Sequence, residues 1–127
     1  MSIFNPLLDH PKLLARLREH QGLLVVCYCA AWCDTCTQYR GGFEALAEKF
    51  PDCTFMWVDI EENPELLGDD DVENFPTLLV QSPTKNLFYG PMLPYASHLE
   101  KLLSRLDESS PSIEDGPPLL RPLLEAA

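Results

Sequence analysis

The stretch that decides the interpretation of this chain reads Ala31-Trp32-Cys33-Asp34-Thr35-Cys36. A short, β-rich apolar run over residues 23–29 precedes it and follows Gly22, which predicts a buried strand. An amphipathic helix is predicted next, because apolar residues recur with helical spacing at Tyr39, Phe43, Leu46 and Phe50. The two cysteines are therefore expected at a strand-to-helix turn.

The expected position of Cys33, near the helix N-terminus, suits thiol chemistry. Unpaired backbone N–H groups and the positive end of the helix dipole stabilise a thiolate there. Cys36 follows one turn later on the same helix face and can reach back to Cys33. We therefore predict a reversible dithiol/disulfide formed by these two residues.

The main alternative for a Cys-x-x-Cys pair is half of a zinc site. Four-coordinate zinc needs a second ligand pair at suitable spacing. Cys27 and Cys29 are expected on opposite faces of their strand, Cys53 is alone in the sequence, and the histidines are scattered at positions 10, 20 and 98. We therefore expect no metal site. Cys27, Cys29 and Cys53 are expected to be reduced and to act as small hydrophobic residues.

Length and composition predict one soluble domain. The 127 residues suffice for a single core, and the net charge of −11 argues against nucleic-acid binding. We expect neither secretion nor a membrane span, because no charged-then-apolar leader opens the chain and no apolar run approaches ~18 residues. Five cysteines at spacings unlike a disulfide framework fit a reducing compartment. We therefore expect a cytoplasmic monomer.

The remaining patterns predict an α/β fold. Helices are expected from Pro11, after Cys36, over residues 65–67 and from Pro94; strands are expected over residues 23–29, 53–58, 77–80 and 87–90. A β-α-β start and a final hairpin give a central mixed sheet of four strands with helices on both faces, or five strands if residues 2–4 add a stub. Gly41-Gly42 inside the second helix predicts a kink or close packing there.

The last part of the chain differs in composition. We predict a domain over residues 1–106 and a Pro-rich, acidic C-terminal tail over residues 107–127. The tail has four prolines and five acidic residues against one base, which is typical of a mobile segment. The exception is a group of leucines that could dock on a groove, at positions 119, 120, 123 and 124.

From about Leu23 to Leu106 the chain resembles the thioredoxin family. The resemblance rests on the apolar strand before the cysteine stretch, on Val-Asp-Ile-Glu-Glu-Asn-Pro at residues 58–64, and on Phe75-Pro76-Thr77, which is similar to the family's cis-proline loop. It implies a thioredoxin-like fold and a thiol–disulfide oxidoreductase with a redox-active centre and a part in cell redox homeostasis. It implies protein disulfides as substrates, a thioredoxin-reductase-type electron donor, and no metal or organic cofactor.

The resemblance also implies roles for individual residues. Cys33 would be the attacking thiolate and Cys36 the buried resolving thiol. Trp32 would shield the pair, and Pro76 would sit across from it, beside backbone that pairs with an extended substrate. The residues implied in substrate binding are Trp32, Asp34, Thr35, Phe75, Pro76 and Thr77.

Three departures from the family pattern affect the expected chemistry. Asp34-Thr35 replaces the usual Gly-Pro between the cysteines, and the Asp34 charge suits the helix dipole but disfavours a neighbouring thiolate. Cys27 and Trp57 occupy the positions of the family's buried Asp and Lys, so that proton relay is expected to be absent. Gly41 stands where the family has a helix-kinking proline.

Other functions remain open at this point. The domain could keep its motif without turning over substrate, or it could be a binding or chaperone-type module with an acidic face. Residues 51–75 contain nine acidic residues and no basic one, a run that is usually a solvated face. Redox sensing through Cys27 or Cys29 is a third alternative, although a buried strand cysteine is normally unreactive.

Overall fold

The computed structural model describes residues 3–6, 8–19, 22–30, 33–62, 66, 76–107, 109–114 and 116–126. Its elements, in chain order, are α1 (His10–Glu19), β1 (Leu24–Cys29), α2 (Asp34–Lys49), β2 (Thr54–Asp59), β3 (Thr77–Gln81), β4 (Asn86–Pro91), α3 (Ala96–Leu103) and α4 (Leu120–Ala126). None of these helices is long and apolar enough to cross a membrane. The predicted helix over residues 65–67 lies outside the described residues, apart from Leu66.

The strands form one mixed sheet in the order β2-β1-β3-β4. β1 and β2 run parallel, whereas β1–β3 and β3–β4 are antiparallel pairs. Every residue of β1, β2 and β3 is buried, because helices cover both faces of the sheet. The predicted α/β fold with a four-stranded mixed sheet is confirmed.

The N-terminal segment adds a single bridge rather than a fifth strand. Phe4 pairs in parallel with Met56 at the outer edge of β2. Its backbone N–H donates to the Phe55 carbonyl at 2.9 Å, and its carbonyl accepts from the Trp57 N–H at 2.9 Å. The N-terminal stub is thus limited to Phe4 among the residues that can be described.

Two apolar layers hold the sheet between the helices. α2 and α3 cover one face, with Phe43 and Leu99 fully buried among side chains from all four strands. α1 and α4 cover the other face, where Leu13 and Leu120 are fully buried against β1, β2 and β3. The alternation of side chains along β1 assigns each residue to one layer or the other.

That alternation corrects the prediction for Cys27 and Cys29. Residues two apart on a strand share a face, so the expectation of opposite faces was wrong. Both side chains lie in the layer under α2, with their Sγ atoms 3.5 Å apart.

The C-terminal segment is docked on the domain, so its interpretation as a mobile tail is wrong for the residues described. Leu120 is fully buried and Leu124 is 3% exposed in the layer that also contains α1. The Gln81 side chain donates to the Pro118 carbonyl at 3.0 Å and accepts from the Leu120 N–H at 3.1 Å. The alternative in which the leucines dock is the one that the structure shows, while the domain boundary at residue 106 stays a prediction.

The adjacent glycines in α2 give a matched pair of substitutions. A Cβ at Gly42 would lie 2.8 Å from the Ala96 Cβ of α3, whereas a Cβ at Gly41 would meet nothing within 4 Å. Gly42→Ala is expected to lower the free energy of unfolding by about 1–3 kcal/mol, because α3 must shift. Gly41→Ala is expected to raise it by up to ~1 kcal/mol through helix propensity. In urea unfolding, the midpoints of the two variants should shift in opposite directions from the wild type. Shifts of the same size and direction would contradict the close packing at Gly42.

Candidate active site

Cys33 is the N-cap residue of α2, with extended backbone angles of φ −91° and ψ 113°. Its N–H donates to the Ala30 carbonyl at 3.0 Å, and its own carbonyl accepts from the Thr37 N–H at 3.2 Å. These bonds fix the turn from β1 into the helix. The Cys33 side chain is partly buried and carries a free thiol. Cys33 stands at the N-terminus of a 16-residue helix, and its side chain makes no capping hydrogen bond.

Cys36 lies one turn further along α2 and is almost completely buried, at 2% exposure. In the structure it forms a disulfide with Cys29, the last residue of β1, over a Cα–Cα distance of 5.9 Å. The prediction that Cys29 is a reduced core residue is therefore wrong. The position of Cys29 at the end of β1, just before the turn that leads to Cys36, was the signal that could have indicated this contact.

Cys27 is a free, fully buried thiol beside this disulfide. Its Sγ lies 3.5 Å from that of Cys29. Burial raises the pKa of the Cys27 thiol far above its ordinary value, so the group stays protonated near neutral pH. Cys27 is therefore a poor nucleophile despite its proximity to the disulfide.

Cys27 and Trp57 are direct neighbours in the parallel pair of β1 and β2. Both belong to the apolar layer under α2, and the Arg40 guanidinium lies 5.2 Å from the centre of a Trp57 ring. These two side chains do not form a carboxylate–ammonium pair, and the absence of the family's proton relay stays a prediction. Tyr39 also lies in this layer. The pKa of its hydroxyl is raised, mainly by burial and secondly by the electrostatic effect of Cys27.

The other predicted site residues are described only in part. Asp34 is exposed in the first turn of α2, and Thr35 beside it is partly buried. Thr77 begins β3 opposite Tyr28, so Pro76 and Thr77 lie at the end of the sheet where β1 leads into the cysteine turn. The Pro76 carbonyl accepts from the Met92 N–H at 3.1 Å. Trp32 and Phe75 lie outside the described residues.

A cleft of about 340 Å³ opens beside the buried cysteine. Cys36 and Ala30 line it together with Arg40, Trp57 and Asp59. A larger cleft, of about 520 Å³, lies between α2 and α3 and has no cysteine in its lining. In the part of the chain that the structure describes, no group of three or more His, Cys, Asp or Glu side chains is arranged to hold a metal ion.

Comparisons with known proteins identify the family of this chain. The family model described as Thioredoxin matches residues 9–93, which is more than half of the sequence. A thioredoxin of Chlamydia trachomatis is 31% identical over 84 residues, which cover 66% of this chain and 82% of that protein. Among solved structures, Fasciola hepatica thioredoxin has a TM-score of 0.63 and 27% identity, with 76% of this chain and 90% of that chain covered. The chain belongs to the thioredoxin family.

For some relatives, the sequence match covers only part of their length. Thioredoxin H2 of Arabidopsis thaliana is 31% identical over 71 residues, which are 56% of this chain and 53% of that protein. The chain thus spans about half the length of several curated relatives that it matches. Thioredoxin NaTrxh of Nicotiana alata, at 21% identity and a TM-score of 0.68, supports the fold alone.

The buried Cys27 thiol predicts a specific loss of stability at high pH. Because its pKa is raised in the folded protein, the unfolded chain loses this proton first, above about the ordinary value of 9.0. The contribution is complete below that pH and declines above it by about 1.4 kcal/mol per pH unit. We expect the free energy of unfolding, measured with a reductant present, to fall less steeply above pH 9.0 in Cys27→Ala than in the wild type. Equal slopes for the two proteins would contradict this.

Proposed function

We propose that this protein is a thiol–disulfide oxidoreductase that exchanges a Cys33–Cys36 dithiol with disulfides of other proteins. The observation that carries the proposal is the arrangement of two cysteines on α2. A partly exposed Cys33 is the N-cap residue of the helix, and Cys36 is buried one turn later. Membership of the thioredoxin family supports the same chemistry.

The reaction starts with attack of the Cys33 thiolate on one sulfur of a client disulfide. The client disulfide breaks, one client sulfur leaves as a thiolate, and a Cys33–client mixed disulfide forms. Cys36, after losing its proton, attacks Cys33 and releases the second client thiolate. The client gains two electrons, and the protein retains a Cys33–Cys36 disulfide. In this scheme Cys36 must be free of Cys29 when it attacks.

The residues around the cysteines would bind the client. Asp34 and Thr35 in the first turn of α2, with Pro76 and Thr77 at the start of β3, lie on elements that meet at one end of the sheet. We propose that an extended client segment pairs with backbone beside Pro76, with Trp32 and Phe75 completing the contact surface. A dithiol donor of the thioredoxin-reductase type would return the protein to the reduced state in the cytoplasm, where we expect a monomer.

Turnover of a protein disulfide tests this proposal. The purified chain is incubated with insulin and dithiothreitol, and insulin reduction is followed against dithiothreitol alone. We expect a rate clearly above that background, and an unchanged rate for Cys53→Ser, because Cys53 lies in the turn before β2 and not beside Cys36. A rate equal to the background would overturn the proposal and favour a binding module. Of the acidic segment over residues 51–75 that such a module would use, positions 63–65 and 67–75 lie outside the described residues.

A further inference from the structure

Cys36 has two candidate partners in this fold. It is bonded to Cys29 across seven positions of sequence, with the Cα atoms 5.9 Å apart, which is within the usual range for a disulfide. Cys33 is the N-cap residue of the same helix, three residues before Cys36. The thiol of Cys33 is free in the structure.

The surroundings restrict which sulfurs can exchange. Cys29 and Cys36 are 1% and 2% exposed and belong to the apolar layer under α2. Cys33 packs against that layer but is only partly buried. Cys27 touches Cys29 but is free in the structure, whereas Cys29 is the residue bonded to Cys36. Exchange within the site is therefore expected among Cys29, Cys33 and Cys36.

We propose that Cys29 is a second resolving cysteine. It replaces Cys33 as the disulfide partner of Cys36 and so restores a free Cys33 thiol in the oxidised protein. The inference rests on the proposed function, since that reaction supplies the Cys33–Cys36 disulfide. The Cys29 thiol attacks the Cys36 sulfur, to which it is bonded in the structure, and its proton passes to the departing Cys33 sulfur. The Cys33–Cys36 bond breaks, the Cys29–Cys36 bond forms, and Cys33 leaves as a thiol. The step moves one disulfide within the protein, so it needs no further oxidant or reductant.

This step changes what the oxidised protein can do. With Cys36 held by Cys29, the free Cys33 can still attack a second client disulfide. Cys36 cannot release that mixed disulfide, so release requires a thiol of the client itself. The client then exchanges one disulfide for another without net reduction. The oxidised protein would thus rearrange client disulfides, whereas the reduced protein would reduce them.

Disulfide mapping of the full chain tests the inference. The reduced protein is oxidised with diamide, treated under native conditions with iodoacetamide, quenched in acid and digested. Four of the five cysteines lie between Arg18 and Arg40, so trypsin leaves them on one peptide. Cleavage before Asp34 then separates Cys36 from the other three. Tandem mass spectrometry of the linked fragments locates the label and the disulfide.

Two variants make the outcome decisive. We expect label on Cys33 and a Cys29–Cys36 disulfide in the oxidised wild type and in Cys53→Ser. In Cys29→Ser, labelling of Cys33 should fall by about tenfold or more, because Cys33 is then the partner of Cys36. In Cys33→Ser, which leaves Cys29 intact, diamide should still form the intramolecular Cys29–Cys36 disulfide.

The inference is overturned if the oxidised wild type contains only the Cys33–Cys36 disulfide, or if Cys33→Ser forms no intramolecular disulfide. Should Cys29→Ser fail to fold, the result with Cys33→Ser decides the question. Failure of the proposed function has a different signature, because insulin turnover by the wild type would be absent whatever disulfides the mapping finds.

Discussion

Cys33→Ser is expected to lower the rate of insulin reduction by at least ~100-fold, to the background set by dithiothreitol. A serine hydroxyl cannot form the mixed disulfide that begins the reaction. Cys33 is also partly exposed, whereas Cys36 is buried, with 2% of its surface exposed. No other cysteine at the turn is placed to replace it, because Cys27 and Cys29 are buried on β1.

Cys36→Ser is the matched variant for this experiment. It keeps the nucleophile but removes the group that releases the client, so a Cys33–client disulfide is expected to accumulate. Non-reducing electrophoresis with a protein client would show this adduct in Cys36→Ser and not in Cys33→Ser. Full reductase activity in Cys33→Ser would contradict the assignment of Cys33 as the attacking thiolate.

Leu120→Ala is expected to lower the free energy of unfolding by about 2–5 kcal/mol. Leu120 is fully buried against α1 and the sheet, so truncation leaves a cavity in a closely packed layer. The backbone N–H of this residue donates to the Gln81 side chain at 3.1 Å, a bond that the substitution leaves in place. The measurement is urea unfolding with a reductant present, which removes any contribution from the disulfide.

Leu123→Ala provides the control on the same helix. Leu123 is 36% exposed, so its truncation should change the free energy of unfolding by no more than roughly 0.5 kcal/mol. If both variants unfolded at the same urea concentration, α4 would not be part of the folded core. A large difference between them would establish that the C-terminal segment contributes to stability.

Much of the fold follows from local patterns. Seven apolar residues before the cysteines have few alternatives to a buried strand, and the helical spacing of Tyr39, Phe43 and Leu46 specifies the face that packs on it. α4 was not predicted, because prolines and acids dominate its surroundings. The informative signal was the i, i+4 pair Leu120 and Leu124, since Pro122 in the first turn of a helix costs little.

The site could be predicted only in part. Cys33 and Cys36 are recognisable because a strand-to-helix turn dictates where they lie. The bond between Cys29 and Cys36 depends on how closely α2 packs on β1, a distance that spacing along the chain does not encode. The error for Cys27 and Cys29 came from the strand period, which places residues two apart on one face.

The single bridge at Phe4 has a consequence for how the protein behaves at high concentration. β2 is an outer strand, and an outer strand offers unpaired N–H and carbonyl groups on which another chain can add. Phe4 occupies both the Phe55 carbonyl and the Trp57 N–H. At the opposite edge, the Ile113 N–H bonds to the Asn86 carbonyl of β4 at 2.9 Å. The segments at Phe4 and Ile113 therefore leave fewer unpaired backbone groups at the two edges of the sheet, which disfavours aggregation by strand addition.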